Sequence, residues 1–353
     1  MHYSRSGANS VPRTWSTRAQ TRVRAGASLL PPVAIPRLKE IIRKSPTIFT
    51  IGVAGDSGSG KTTFTNAIRE IFGADLVSTI TLDDYHTLDR EQRREKGVTP
   101  LAPEANDFQK LEEDIRDLKE GKTIQKPVYN HINGTLEPPV PFSPTKIVIL
   151  EGLHAFFTPV IRELTDFKIF VNPEPDVKRY WKIKRDMEIR GYRREEVMEE
   201  LEARERDYEK YVAPQQKYAD ALIKIAFSKF GEDLGPVHDI YRVSVCQSRL
   251  EETIKDIDLT FDLFALLSLS ERDFLLEFSR EEIAEREMGV ITFDGELRYD
   301  VVEKLEDSIE QQVQSPPESI YRNRSYITPT EMGQLLVAWR IINRRFFMEE
   351  SFV

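Results

Sequence analysis

The first sustained apolar stretch, Thr47-Ile48-Phe49-Thr50-Ile51-Gly52-Val53, is β-branched and has no polar face, which predicts a strand buried on both sides. Phe64, Ala67, Ile68 and Ile71 then recur at helical spacing, and a second β-branched run occupies Leu76 to Leu82. Strand, helix and strand in that order predict a parallel βαβ unit. Residues 108–120 carry a helical period that closes at Gly121, Pro138 to Pro144 reads as a proline-broken loop, and Lys146 to Leu150 is a third buried strand. A long charged helix is expected from Asp176 to Tyr211. Past it, Tyr241-Arg242-Val243-Ser244-Val245 alternates as an added strand, Gln314 to Pro317 reads as a linker, and Leu335, Leu336, Trp339, Ile342 and Phe346 after Pro329 predict an amphipathic last helix.

These segments divide the chain into a basic extension with a short lead-in helix (1–45), an α/β core (46–228) and an α+β region (229–353). Residues 1–32 are rich in Ser and Arg, lack acids and show no apolar period, so they are read as disordered; organelle targeting is the minority reading of the same composition. Of 353 residues, 40% are hydrophobic and 31% charged, enough to bury a core, while no apolar run approaches membrane-spanning length. One cysteine, Cys246, excludes an internal disulfide and a cysteine zinc site, which favours a reducing cytosol. Net charge is −9, although residues 1–45 hold nine basic residues against Glu40 alone, so the body is more acidic still. Such a body argues against general nucleic-acid binding, and any anionic ligand must be met by locally concentrated cations.

Gly55-Asp56-Ser57-Gly58-Ser59-Gly60-Lys61-Thr62, followed by Thr63, fits the phosphate loop G-x-x-x-x-G-K-[ST] and sits between a buried strand and a helix, where such a loop belongs. Its backbone N–H groups cradle phosphates, Lys61 reaches the β- and γ-phosphates, and the Thr62 hydroxyl suits Mg²⁺. The loop alone indicates a nucleoside triphosphate with Mg²⁺. The second strand ends in Asp83-Asp84-Tyr85-His86, at the sheet edge where ligands of such folds bind; Asp83 there is either a general base for phosphoryl transfer or a turn former. The third strand runs into Glu151-Gly152-Leu153-His154, placing Glu151 where a carboxylate holds the metal. Lys182, Asp186 and Arg190 recur every four residues with Arg185 beside them, which is either a solvated ion-pair face or a phosphate-facing one. His86, His131 and His154 fall in the same region without zinc-binding spacing.

Read together, these motifs resemble the phosphoribulokinases. The likeness spans about residues 48–225. It takes in the phosphate loop, Leu82-Asp83-Asp84-Tyr85-His86 with Leu88-Asp89-Arg90, Lys126-Pro127-Val128-Tyr129-Asn130-His131, Glu151-Gly152-Leu153-His154, Trp181 to Asp186, and Arg190-Gly191. The resemblance implies a P-loop NTPase-type doubly wound, mainly parallel sheet with helices on both faces and α+β additions. It implies ATP-dependent phosphorylation of D-ribulose 5-phosphate at C1, with Asp83 as base, Glu151 and Asp186 near the metal, and Lys182 screening the moving phosphoryl group. His86, Arg90, Tyr129, His131, His154, Arg185 and Arg190 fall on the substrate side. A homodimer, and a cytosolic protein without nucleic-acid or membrane partners, are implied too. Ser59 and Thr81 stand where the plant enzymes carry the cysteines of their redox switch, so that switch is absent. Uridine- or pantothenate-type kinases, and a nucleotide-binding regulator, are the competing readings.

Overall fold

The apolar runs become strands of one sheet, seen in a computed structural model that describes residues 42–188, 193–230, 240–248, 266, 272–307, 321 and 324–350. The segment read as disordered (1–32), Arg190 and the expected linker Gln314–Pro317 lie outside the described residues. Strand β1 (Phe49–Ala54) is buried at all six positions. Helix α1 (Lys61–Phe72) follows the glycine-rich turn and buries Phe64, Ala67, Ile68, Ile71 and Phe72, as the helical spacing requires. Strand β2 (Val77–Thr81) runs into a 3-10 turn, Leu82–Tyr85. Helix α2 (Arg90–Lys96) starts at a capping box in which the Asp89 side chain accepts from Gln92 N and the Gln92 side chain returns to Asp89 N. Helix α3 (Phe108–Lys119) is capped by Asp107.

Strands β3 (Ile124–Asn130) and β4 (Thr135–Phe142) pair as an antiparallel hairpin. The stretch expected to be a proline-broken loop is thus mostly a strand. Pro138, Pro139 and Pro141 lie on an exposed two-stranded ribbon, where a missing N–H can face solvent. Next come β5 (Ile147–Gly152), α4 (Pro159–Leu164), β6 (Phe167–Pro173), α5 (Pro175–Glu188), α6 (Arg194–Asp207), β7 (Ala221–Phe227), β8 (Tyr241–Gln247), β9 (Phe274–Ile283), β10 (Arg286–Gly295) and α7 (Pro329–Glu350). The long charged stretch is described as two helices, with 189–192 outside the described residues; after them Tyr208–Val212 forms a π-turn and Ala213–Tyr218 a 3-10 turn.

The sheet order is β2-β5-β1-β6-β7-β8-β10-β9. The first five strands are parallel and the last three add antiparallel, so residues past 229 continue the core sheet. One apolar layer joins α1 and α7 to this sheet; the other joins α3 and α4 to its opposite face. Helix α7 is less amphipathic than its apolar spacing predicts. Residues 332–343 are all buried, including Gln334, Arg340 and Asn343. Among the described residues no helix is long and apolar enough to cross a membrane.

Candidate active site

The parallel strands carry β1, β2 and β5 to one edge with the phosphate loop, Asp83 and Glu151. Gly60 adopts φ +89, a left-handed conformation at the entry to α1, and a Cβ on Gly55 would meet Val171 O at 2.5 Å. The loop needs both glycines to curl this tightly. Lys61 turns its ammonium back over the loop, donating to Gly55 O at 3.2 Å and Asp56 O at 2.7 Å. Burial pushes its pKa down, opposed by the charges of Glu151, Asp83 and Asp56. Asp56 is itself braced by Lys178 at 3.2 Å and Arg204 at 3.6 Å. Although burial works against its charge, these cations and the Ser57 N–H hold its pKa below the usual carboxylate value.

Glu151, the last residue but one of β5, pairs between Val53 of β1 and Thr81 of β2. One carboxylate oxygen accepts from the Thr62 hydroxyl at 2.7 Å and the other from the Thr65 hydroxyl at 2.9 Å. Thr65 is a functional neighbour that the motif does not name, one helical turn on from Thr62. Among the described residues no three His, Cys, Asp or Glu side chains form a metal cage. The hydroxyl–carboxylate pair of Thr62 and Glu151 is instead a hard-oxygen set suited to a Mg²⁺ that draws its other ligands from phosphates and water.

Asp83, on the turn after β2, faces two imidazoles: His86 Nε2 at 3.9 Å and His131 Nε2 at 3.8 Å. His86 Nδ1 lies 3.1 Å from Asn106 Oδ1, while Asn106 Nδ2 donates to Pro100 O and Ala102 O. That network assigns the imidazole proton to Nδ1 and leaves Nε2 an acceptor that makes no hydrogen bond to the Asp83 carboxylate and is open to a donor from a ligand. Burial lowers the His86 pKa, with Asp83 pulling the other way. Tyr129 stands edge-on to both rings, at 5.2 Å from His86 and 5.1 Å from His131. Its hydroxyl accepts from Arg93 Nη2 at 2.8 Å, and Arg93 Nη1 donates to Leu88 O at 2.6 Å. Arg90 donates to His131 O at 2.7 Å.

These groups line one cleft of about 750 Å³, together with Ser57, Gly58, Lys61, Thr62, Glu151 and Arg185. Arg93, Arg94 and Arg204 also line it and were not singled out in the sequence. The first two lie one helical turn beyond Arg90 and could have been found from that spacing; Arg204 has no such signal. Lys182, expected to screen the moving phosphoryl group, and Asp186, expected near the metal, are not cleft-lining: they are 2% and 0% exposed, and Asp186 accepts from Arg185 Nε at 2.8 Å. His154 is not cleft-lining either. It is buried against Phe108 and Phe157, its Nε2 bonds to Leu101 O at 3.0 Å, and burial lowers its pKa to about 4. On the other side of the phosphate loop a cavity of about 630 Å³ is bounded by Gly60, Thr63, Asn66, Trp181 and Tyr241.

The family model described as Phosphoribulokinase / Uridine kinase family matches residues 50–228. A phosphoribulokinase from Synechocystis is 44% identical over 186 residues, 53% of this chain and 56% of that protein. The chloroplastic phosphoribulokinase of Arabidopsis thaliana is 40% identical over 54% of this chain and 52% of its own length. A uridine kinase from Ligilactobacillus salivarius is 32% identical over 49% of this chain and 83% of its own. The chain spans about half the length of the Synechocystis and Arabidopsis phosphoribulokinases. The solved phosphoribulokinase of Rhodobacter spheroides superposes with a TM-score of 0.50 at 20% identity, covering 84% of this chain and all of that one, which is a likeness of fold.

Proposed function

The chain belongs to the phosphoribulokinase/uridine kinase family, and from that premise we propose that it transfers the γ-phosphoryl group of ATP to the C1 hydroxyl of D-ribulose 5-phosphate, giving D-ribulose 1,5-bisphosphate and ADP. The observation that carries this reading is the placement of Asp83 between a donor half and an acceptor half of one cleft. Lys61, Thr62 and Glu151 make the donor half, and Arg90, Arg93 and Arg94 the acceptor half. A neutral nucleoside acceptor does not call for three arginines; a phosphorylated sugar does, because its dianion must be neutralised and oriented.

In this mechanism the triphosphate lies on the loop, with its nucleoside toward the cavity beside Trp181. Asp83 accepts the hydroxyl proton as the new O–P bond forms and the bond to ADP breaks. His86, with Nε2 as an acceptor, suits a sugar hydroxyl better than a phosphate oxygen. Lys61 and Arg185 offset the charge on the transferring group, and positioning supplies much of the remaining rate. Mg²⁺, held by the Thr62 and Glu151 oxygens, would neutralise the phosphates. The buried Lys182 and Asp186 fit a role in orienting Arg185 and the loop from behind. The proposal includes a cytosolic homodimer, the oligomeric state to be checked by hydrodynamic mass. The test is ADP release from Mg²⁺-ATP with ribulose 5-phosphate, uridine or pantothenate as acceptor. Release that requires ribulose 5-phosphate upholds the proposal; release with uridine or pantothenate instead, or none with any acceptor, overturns it.

A further inference from the structure

A second concentration of cations lies at the opposite end of the sheet. Lys168 is the second residue of β6, Lys217 and Tyr218 end the 3-10 turn before β7, Arg286 opens β10, and Arg162 is on α4. The active cleft gathers at the carboxyl ends of the parallel strands, whereas these residues sit at the amino ends. The seven residues of β6 separate the two ends by about 20 Å at ~3.3 Å per residue. Arg162, Lys168, Lys217 and Arg286, against Glu163 alone among acids, line a pocket of about 480 Å³. In a chain of net charge −9 that imbalance is local and built.

The hydrogen bonds that anchor these cations go to neutral groups. Arg162 donates to Phe157 O at 2.7 Å and stacks 4.0 Å above the Tyr218 ring, and the Lys217 ammonium lies 5.0 Å from the same ring. Arg286 Nη1 donates to Lys217 O and Ala219 O, both at 2.9 Å, and Lys168 Nζ donates to Thr165 O at 2.8 Å. Guanidinium has five donors and ammonium three, so each keeps some beyond those used here. Two acids stand beside the pocket without lining it: Asp166 accepts from Lys119 at 2.7 Å and Thr50 N at 2.8 Å, and Asp220 accepts from the backbone N of Lys168 at 2.8 Å. Burial lowers the Lys168 pKa; Asp220 and Asp166 pull it up, and Arg344 and Lys119 push it down.

We propose that this pocket binds a multiply charged anion of the phosphate class, free or carried on a metabolite, independently of the phosphate loop. The test is lysine footprinting on the full chain: acylation with acetic anhydride, read by mass spectrometry, with inorganic pyrophosphate, inorganic phosphate or ribose 5-phosphate against sodium chloride at equal ionic strength. At least one of these probes should slow acylation of Lys168 and Lys217 several-fold, and should do so equally in Lys61→Met, whose phosphate loop is impaired. Protection by the inorganic ions indicates free phosphate as the ligand; protection by ribose 5-phosphate alone indicates a metabolite. Lys217→Met, a substitution at an exposed position, should reduce the protection of Lys168. Unchanged acylation with every probe, equal slowing by sodium chloride, or loss of protection in Lys61→Met would overturn the proposal. Since the readout is lysine chemistry rather than turnover, failure of the assigned reaction leaves this test intact.

Discussion

Replacing Gly152 with alanine tests whether the turn after β2 sets the rate. A Cβ at Gly152 would lie 2.5 Å from Leu82 Cβ and 3.0 Å from its Cγ. Non-bonded carbons rest at about 3.5–4.0 Å, so the two segments must part by roughly 1 Å. The nearest atom is a Cβ, which no rotamer change can move, so the backbone has to give. Leu82 opens the 3-10 turn whose next residue is Asp83. Overpacking of this kind costs about 1–3 kcal/mol of stability. A displacement of about 1 Å at a reacting group costs on the order of 10²-fold in rate, or about 2.7 kcal/mol of barrier. The variant should therefore remain folded, keep its affinity for ATP, and lose about two orders of magnitude in kcat. Thermal unfolding, equilibrium nucleotide titration and acceptor-dependent ADP release measure the three quantities. A folded Gly152→Ala protein with near wild-type kcat would refute the argument that this contact positions Asp83.

Asp83→Asn preserves shape and removes the base, so kcat should fall by about 10²–10⁴ while ATP still binds; turnover close to wild type would discard the assignment. Arg93→Met and Tyr129→Phe each delete the same 2.8 Å hydrogen bond. Each should cost about 1–3 kcal/mol, and the double variant should be little worse than the poorer single; full additivity in kcat/KM would show that Arg93 does not act through Tyr129. For His154 the unfolded imidazole takes up a proton near pH 6.5, but the buried native one resists until about 4. The unfolded state thus binds more protons across that window, and stability falls as pH drops through it, by up to about 3 kcal/mol. Urea denaturation at pH 7 and pH 5 should show a smaller acid loss in His154→Leu than in the wild type; parallel losses would count against the buried neutral imidazole.

The phosphate loop, Asp83 and Glu151 were legible because their signals are local: glycines where the chain must curl, and acids where buried strands end. What surrounds a helix or strand end is not local. Helix α7 has the expected apolar spacing, yet Arg340 and Asn343 on its polar side are also buried, which periodicity cannot reveal. His154 follows a site-bearing strand by only two residues, but the chain turns at Gly152 and the ring goes into the Phe108–Phe157 layer. Pro138 to Pro141 read as a loop because proline cannot donate to a ladder; their position on the exposed strand β4 of a two-stranded ribbon removes that objection. Arg185 lies within 3.5 Å of Ser57 Oγ on the phosphate loop, whereas the neighbouring Lys182 and Asp186 turn inward.

The hydrogen bond from Gln334 Nε2 to Thr63 O, 3.2 Å long, ties α7 to the first turn of the helix that follows the phosphate loop, across 271 residues of sequence. On a ribosome adding about 5–20 residues per second, the loop waits roughly 15–50 s for the helix that buttresses it. During that interval the apolar face of α1 that α7 will cover is exposed to solvent and to other nascent chains. Chaperone demand for this protein should therefore be concentrated late in translation, and codon changes that slow synthesis ahead of residue 329 should reduce soluble yield without altering any contact in the finished molecule.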